Sequence, residues 1–185
     1  MSKLVEAIDQ KDLALFESAL LAISAAERVH AIQAIPGNRL AKVWDLAEGR
    51  TVSIESLVPR AEELVRYRGR NSMPMFNAMC KVCWRSQTGE ALGYNDHFWS
   101  AFTGPGYFQI NVIDGSACFD YRALPKSAPK GWPKLKGHTF PIGTITFAKM
   151  IDRARWATKE TIIGHATWED GRSRGVYFLM TRVSS

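Results

Sequence analysis

The chain is poor in cysteine and has no long apolar run. Cys80, Cys83 and Cys118 are its only cysteines, an odd count that excludes a dense disulfide framework. No apolar stretch approaches the roughly 20 residues a membrane-spanning helix needs, so no membrane insertion is expected. The first residues lack the basic, apolar and small-residue blocks of a secretion signal, because Glu6, Asp9, Lys11, Asp12 and Glu17 interrupt them. A cytoplasmic location is the expectation by exclusion. Also absent are the glycine spacings of a phosphate-binding loop or dinucleotide fold, and the G-x-S-x-G elbow of many hydrolases. No cofactor is expected, and no close internal repeat is visible.

What the chain does contain is enough apolar material for a core and an uneven charge. Apolar residues make up 46% of its 185 residues, and its formal net charge is +6. Residues 1–58 hold 6 Lys/Arg against 8 Asp/Glu, whereas residues 59–185 hold 18 against 10. An anionic ligand should therefore meet the second part. A solvated basic surface is the plain alternative.

Hydrophobic spacing divides the chain at the same place. Leu4, Ile8, Leu13, Phe16 and Leu20 fit one amphipathic helix, or two meeting near Gln10-Lys11-Asp12. Ser24 and Glu27 form a capping-box pattern before a second helical run, which Pro36-Gly37 ends. Leu40, Val43, Trp44 and Ala47 predict a third helix ending at Gly49. Pro59 is read as opening a further helix through Leu64. Arg66-Tyr67-Arg68-Gly69-Arg70 suits an exposed edge strand or a stacking surface, while Met73–Arg85 fits either helix or strand.

Residues 90–94 and Tyr107–Ile113 read as strands, with Asp114-Gly115 as a tight turn into Ala117–Tyr121. Pro129, Gly131 and Pro133 mark residues 127–137 as a loop. Met150, Ile151, Ala154 and Ala157 have helical spacing, which predicts an inserted helix near residues 147–157. Thr161–Trp168 and Gly175–Val183 predict a final hairpin around Glu169–Arg172. The fold expected is α+β: an N-terminal helical unit over residues 1–58, packed on a curved, largely antiparallel β-sheet or open barrel over residues 59–185.

Candidate chemistry is sparse. Cys80-x-x-Cys83, with Cys118 and His97 or His138, could contribute metal ligands or a redox pair, but no second close pair accompanies it. Buried cysteines are the preferred reading, and no metal is assigned. Tyr94–Trp99 is the most function-like cluster, since Asp96 could orient His97 for proton transfer. His165 lies in a strand pattern and is read first as a satisfied barrel-lining histidine. Asp120 and Arg122 should share one strand face as a surface ion pair.

The leading functional expectation is binding of a small organic ligand with an apolar body and an acidic group. Tyr94, Phe102, Tyr107, Phe108 and Trp168 are its candidate walls, with Arg66, Arg68 and Arg122 as anion contacts. The alternative is a cofactor-independent isomerase or cyclase. His97 or His165 would act as base, Asp96 or Asp120 would orient or supply a proton, and Tyr121 would stabilise an oxyanion. A protein-interaction module working through residues 3–48, for instance in a homo-oligomer, is the third reading. Nucleic-acid binding ranks below all three, because the basic-aromatic stretch at Arg66–Arg70 is too short for a recognition motif.

Overall fold

A computed structural model describes residues 2–75, 77–96, 104–135 and 149–183. Eight antiparallel strands follow one another around a closed barrel: β1 (Val65–Asn71), β2 (Ala78–Arg85), β3 (Ala91–Asn95), β4 (Phe108–Ile113), β5 (Ser116–Asp120), β6 (Met150–Thr158), β7 (Thr161–Trp168) and β8 (Ser173–Val183). The ring closes where β1 pairs with β8, Gly69 opposite Met180. The α+β arrangement expected, an N-terminal helical unit on a curved antiparallel sheet, is the one observed. The sheet curls until it closes, which gives the Arg66–Arg70 stretch a partner on both sides instead of a free edge.

An eight-stranded barrel has an interior just wide enough for side chains. Tyr67, Phe108, Phe119, Tyr121, Phe178 and Met180 fill it. Two glycines make room for the rings. A Cβ on Gly164 would lie 1.9 Å from the Phe178 ring, and one on Gly93 would lie 2.5 Å from the Phe108 ring. Asp114 and Gly115, with φ of 51° and 75°, form the expected tight turn between β4 and β5.

The segment expected to be helical near residues 147–157 is strand β6 where it is described. Met150, Asp152 and Ala154 alternate with Ile151, Arg153 and Arg155. Asp152 at an inward position masks this two-residue period, leaving the apolar residues at helical spacing. The helix expected from Pro59 to Leu64 is also absent. A short helix, α5 (Ile54–Leu57), ends before Pro59, and Glu62 adopts a φ of 65°.

Four helices precede α5: α1 (Lys3–Asp9), α2 (Leu13–Leu21), α3 (Ala25–Gln33) and α4 (Leu40–Leu46). Lys11, at φ 57°, separates α1 from α2, and the Ser24–Glu27 capping box starts α3. Phe16, Leu20, Ile32, Ile35, Leu40 and Val43 pack together with Ala157, Ile163 and Leu179 on the outer barrel wall. Arginines from the barrel hold the helices in place. Arg70 donates to the carbonyl of Gln33 at the end of α3 (2.9 Å), and Arg155 donates to the carbonyl of Trp44 (2.8 Å).

The barrel has two unlike ends. Val52, Leu57 and Val58 belong to the interior core and close the end beside the β4–β5 turn. Tyr67 anchors this plug by donating to the Leu57 carbonyl (2.9 Å). The other end carries the β1–β2 and β7–β8 turns. Gly164→Val would drive a branched side chain into the Phe178 ring. It is expected to lower stability by about 1–3 kcal/mol, read as a lower urea midpoint with an unchanged slope.

Candidate functional site

The polar centre of the barrel lies toward the end opposite α5. Lys81 from β2 points inward and is fully buried, with 0% of its side chain exposed. Its Nζ donates to Asn95 Oδ1 (3.0 Å), to Asp152 Oδ2 (3.0 Å) and to the Tyr121 hydroxyl. An ammonium has three N–H groups, and here each has an acceptor. The rings of Phe108, Phe119, Tyr121 and Phe178 surround the same nitrogen, with centroids 4.8–5.2 Å away. Asn95 fixes the group to the backbone by donating to the Gly106 carbonyl (3.1 Å).

Local sequence explains this placement. Lys81 interrupts the apolar run Ala78–Trp84, and the pairing Tyr67–Lys81–Asn95 puts all three residues on one strand face. Asp152 arrives from β6, opposite Phe119 of β5. Tyr121 directly follows β5, and its backbone N–H bonds the Met150 carbonyl (3.0 Å). Burial and then the neighbouring Asp152 push the Tyr121 phenol well above its ordinary pKa, so it keeps its proton.

Trp168 and Arg174 stand at the same end of the barrel, on β7 and β8. The Arg174 guanidinium lies 4.2 Å from the Trp168 ring centroid. Burial pulls the Arg174 pKa down while Asp152 opposes that shift, so the buried carboxylate acts electrically on this residue. Met150 and Ala166 are nearby inward residues of β6 and β7, both almost fully covered.

The remaining sequence candidates are dispersed. Tyr94 and Tyr107 come together with Trp132, but on the outer wall rather than in the barrel. Tyr94 lies 4.8 Å from Trp132, and Tyr107 stacks on Trp132 at 6.2 Å. Phe108 follows Tyr107 yet faces the interior, so these neighbours do not wall one pocket. Arg66 pairs with Asp96 (2.9 Å), with both side chains more than a third exposed. Arg68 is exposed on the same face. His97, Phe102 and His138 lie outside the described residues.

Asp120 and Arg122 form the expected ion pair (2.7 Å) on the outer wall. Burial opposes the Asp120 charge, but hydrogen bonds from Arg122 and Asn111 outweigh it and lower the pKa. Tyr121 faces inward, so Asp120 and Tyr121 do not act together. His165 does not line the barrel interior as expected. It stacks on Tyr177 (4.5 Å), meets Trp44 edge-on (5.3 Å) and shares a hydrogen bond with Ser173 (2.7 Å). Trp44 on α4 covers it, and burial and Arg155 lower its pKa.

Cys80 and Cys83 also separate. Cys83 packs in the barrel interior, whereas Cys80 lies on the wall beside Arg66 and Arg68. Three residues of strand separation put them on opposite faces, so this CxxC pair cannot clasp one ion. Among the described residues, no group of three or more His, Cys, Asp or Glu side chains could hold a metal. Burial pushes the Cys83 thiol up to about 12. A groove of about 300 Å³ lies on the helices, lined by Leu4, Ala19, Ile23 and Ala31 among others.

The chain matches no protein-family model, no curated protein and no solved structure.

Lys81→Met should destabilise the fold by about 3–5 kcal/mol, because it leaves Asp152 buried without its cation. Adding Asp152→Leu should recover most of that loss in urea unfolding. His165 gives a pH test of opposite origin. Its folded pKa is depressed, so the unfolded chain takes the proton first as pH falls through about 6.5. The native protein should therefore lose stability relative to His165→Phe between about pH 8 and pH 5, measured as converging or crossing urea midpoints.

Proposed function

We propose that the protein binds a small organic anion with an apolar body at the barrel end bearing Trp168 and Arg174. The observation that carries this reading is the Trp168–Arg174 pair standing over a buried Lys81–Asp152–Tyr121–Asn95 centre. An aromatic face with a guanidinium beside it suits a flat apolar body joined to an acidic group. Deep insertion is disfavoured, since Phe108, Phe119 and Phe178 fill the middle and the α5 plug closes the far end. The ligand would rest at the mouth, its acidic group near Arg174.

The polar centre would serve this site by fixing charge rather than by reacting. Lys81 already has its three acceptors, and Tyr121 is held between Lys81, Asn95 and Asp152. Such a closed network positions the barrel wall beneath a ligand. The proton-transfer alternative finds less support. His165 is stacked under α4 on the outer wall, and Asp120 is committed to Arg122.

8-Anilinonaphthalene-1-sulfonate, an aromatic anion, is a suitable probe. It should bind saturably with enhanced fluorescence, and Trp168→Ala or Arg174→Ala should each weaken binding about tenfold. Native mass spectrometry of the purified protein should show an additional small mass that Trp168→Ala reduces. Non-saturable fluorescence unaffected by either substitution, together with an unadorned chain mass, would reject this reading.

A further inference from the structure

We propose that the wall around the β1–β2 turn is a docking surface for an anionic lipid bilayer. This inference does not depend on the ligand reading. The turn presents Met73 and Met75 at 40% and 70% exposure, on either side of Pro74. They are presented from a fixed support. Met73 N–H donates to Asn71 Oδ1 (2.9 Å), and Ser72 N–H donates to the Tyr177 carbonyl (2.8 Å). Methionine is a flexible apolar side chain suited to irregular apolar surroundings, and acyl chains offer such surroundings.

The wall below this apolar tip carries cations, on β1 and on the segment packed against β2–β4. Arg68 on β1 and Lys126, Lys130 and Lys134 on the 122–135 segment are all exposed, and none has a salt-bridge partner among the described residues. The segment does not wave freely. Trp132 packs on Tyr94 and Tyr107, and the Leu124 carbonyl accepts from Gln109 (3.2 Å). The lysines are thereby held along the outer wall of β2–β4.

The opposite barrel end has a mixed character. Glu55, Glu62, Glu63 and Glu90 are exposed there, but so are Arg60, paired with Glu63 (3.4 Å), and Lys159 on the β6–β7 turn. The carboxylates at the β7–β8 turn, Glu169 and Asp170, are matched by Lys149 and Arg172. The cations on β1 and the 122–135 segment, without such partners among the described residues, would therefore draw this side of the barrel to a negative surface, bringing the methionines toward the headgroups. Phosphate recognition on a nucleic acid would use the lysines but would gain nothing from two exposed methionines. The joint presence of an apolar tip and a basic β1–β4 wall is what favours the bilayer.

Cosedimentation with vesicles tests this. The protein should pellet with phosphatidylcholine–phosphatidylserine vesicles at low salt, and not with phosphatidylcholine alone. Each surface cation contributes about fivefold, so Lys126→Ala/Lys130→Ala/Lys134→Ala should reduce partitioning about 100-fold. Met73→Ser/Met75→Ser leaves the charge intact and should still weaken binding several-fold. All five replaced side chains are exposed, and an unchanged circular dichroism spectrum verifies that the variants fold. Failure to pellet with anionic vesicles at low salt overturns the proposal. So does vesicle binding that ignores the methionine substitutions, or binding to a DNA duplex that equals vesicle binding and responds to the lysines alone.

Discussion

A cation enclosed by aromatic rings governs the barrel interior. Removing Lys81 and Asp152 from water costs several kcal/mol for each ion, and their mutual attraction offsets that only with good geometry and full hydrogen bonding. The geometry here meets that condition: three acceptors surround Nζ, and four ring faces occupy the remaining space. Such a centre is weak as a source of net stability and strong as a constraint on arrangement. β2, β3, β5 and β6 each bring, or lead directly into, one member. A slip of one residue in any of these strands would turn that member outward and leave the others unpaired.

The same requirement accounts for the shape around the centre. Large rings must approach the ammonium, and glycines at 93 and 164 give up their side-chain volume to let two of them do so. The apolar plug from α5 then isolates the core at one end. Polarity is thereby confined toward the other end, where Trp168 and Arg174 stand. Charge and aromatic surface are sorted along a single axis.

Much of the architecture was legible from residue patterns. The helix caps, the Asp114-Gly115 turn and the last hairpin depend on short-range chemistry, and their signals survive without tertiary context. The centre was hidden for the converse reason. Lys81 and Asp152 are polar residues at inward strand positions, so each spoils the alternation that would identify its strand. A lone Lys within Ala78–Trp84 and a lone Asp within Met150–Trp156 were the available clues. Their meeting depends on a ring closure that local spacing does not encode. Tyr121 stands out in the sequence for its phenol, but the partners that sequence reading offers it are His97, His165, Asp96 and Asp120 rather than Lys81 and Asp152. Trp168 was singled out for its aromatic surface, whereas Arg174, its cationic neighbour, gave no separate signal.

Closure of the ring also bears on the order of folding. β1 pairs with β8, the first barrel strand synthesised with the last, while the other seven pairings join sequence neighbours. Neighbouring strands can zip as hairpins, but the seam must wait for the whole sheet to curl. α3 contacts both strands at this seam, and Arg28 on α3 reaches Thr181 of β8 (3.2 Å) while Arg70 of β1 reaches back to the end of α3. The helix is thus a latch across the joint. Without such a latch, the two longest-separated edges would stay exposed longest, and unpaired edges are where strands recruit other chains.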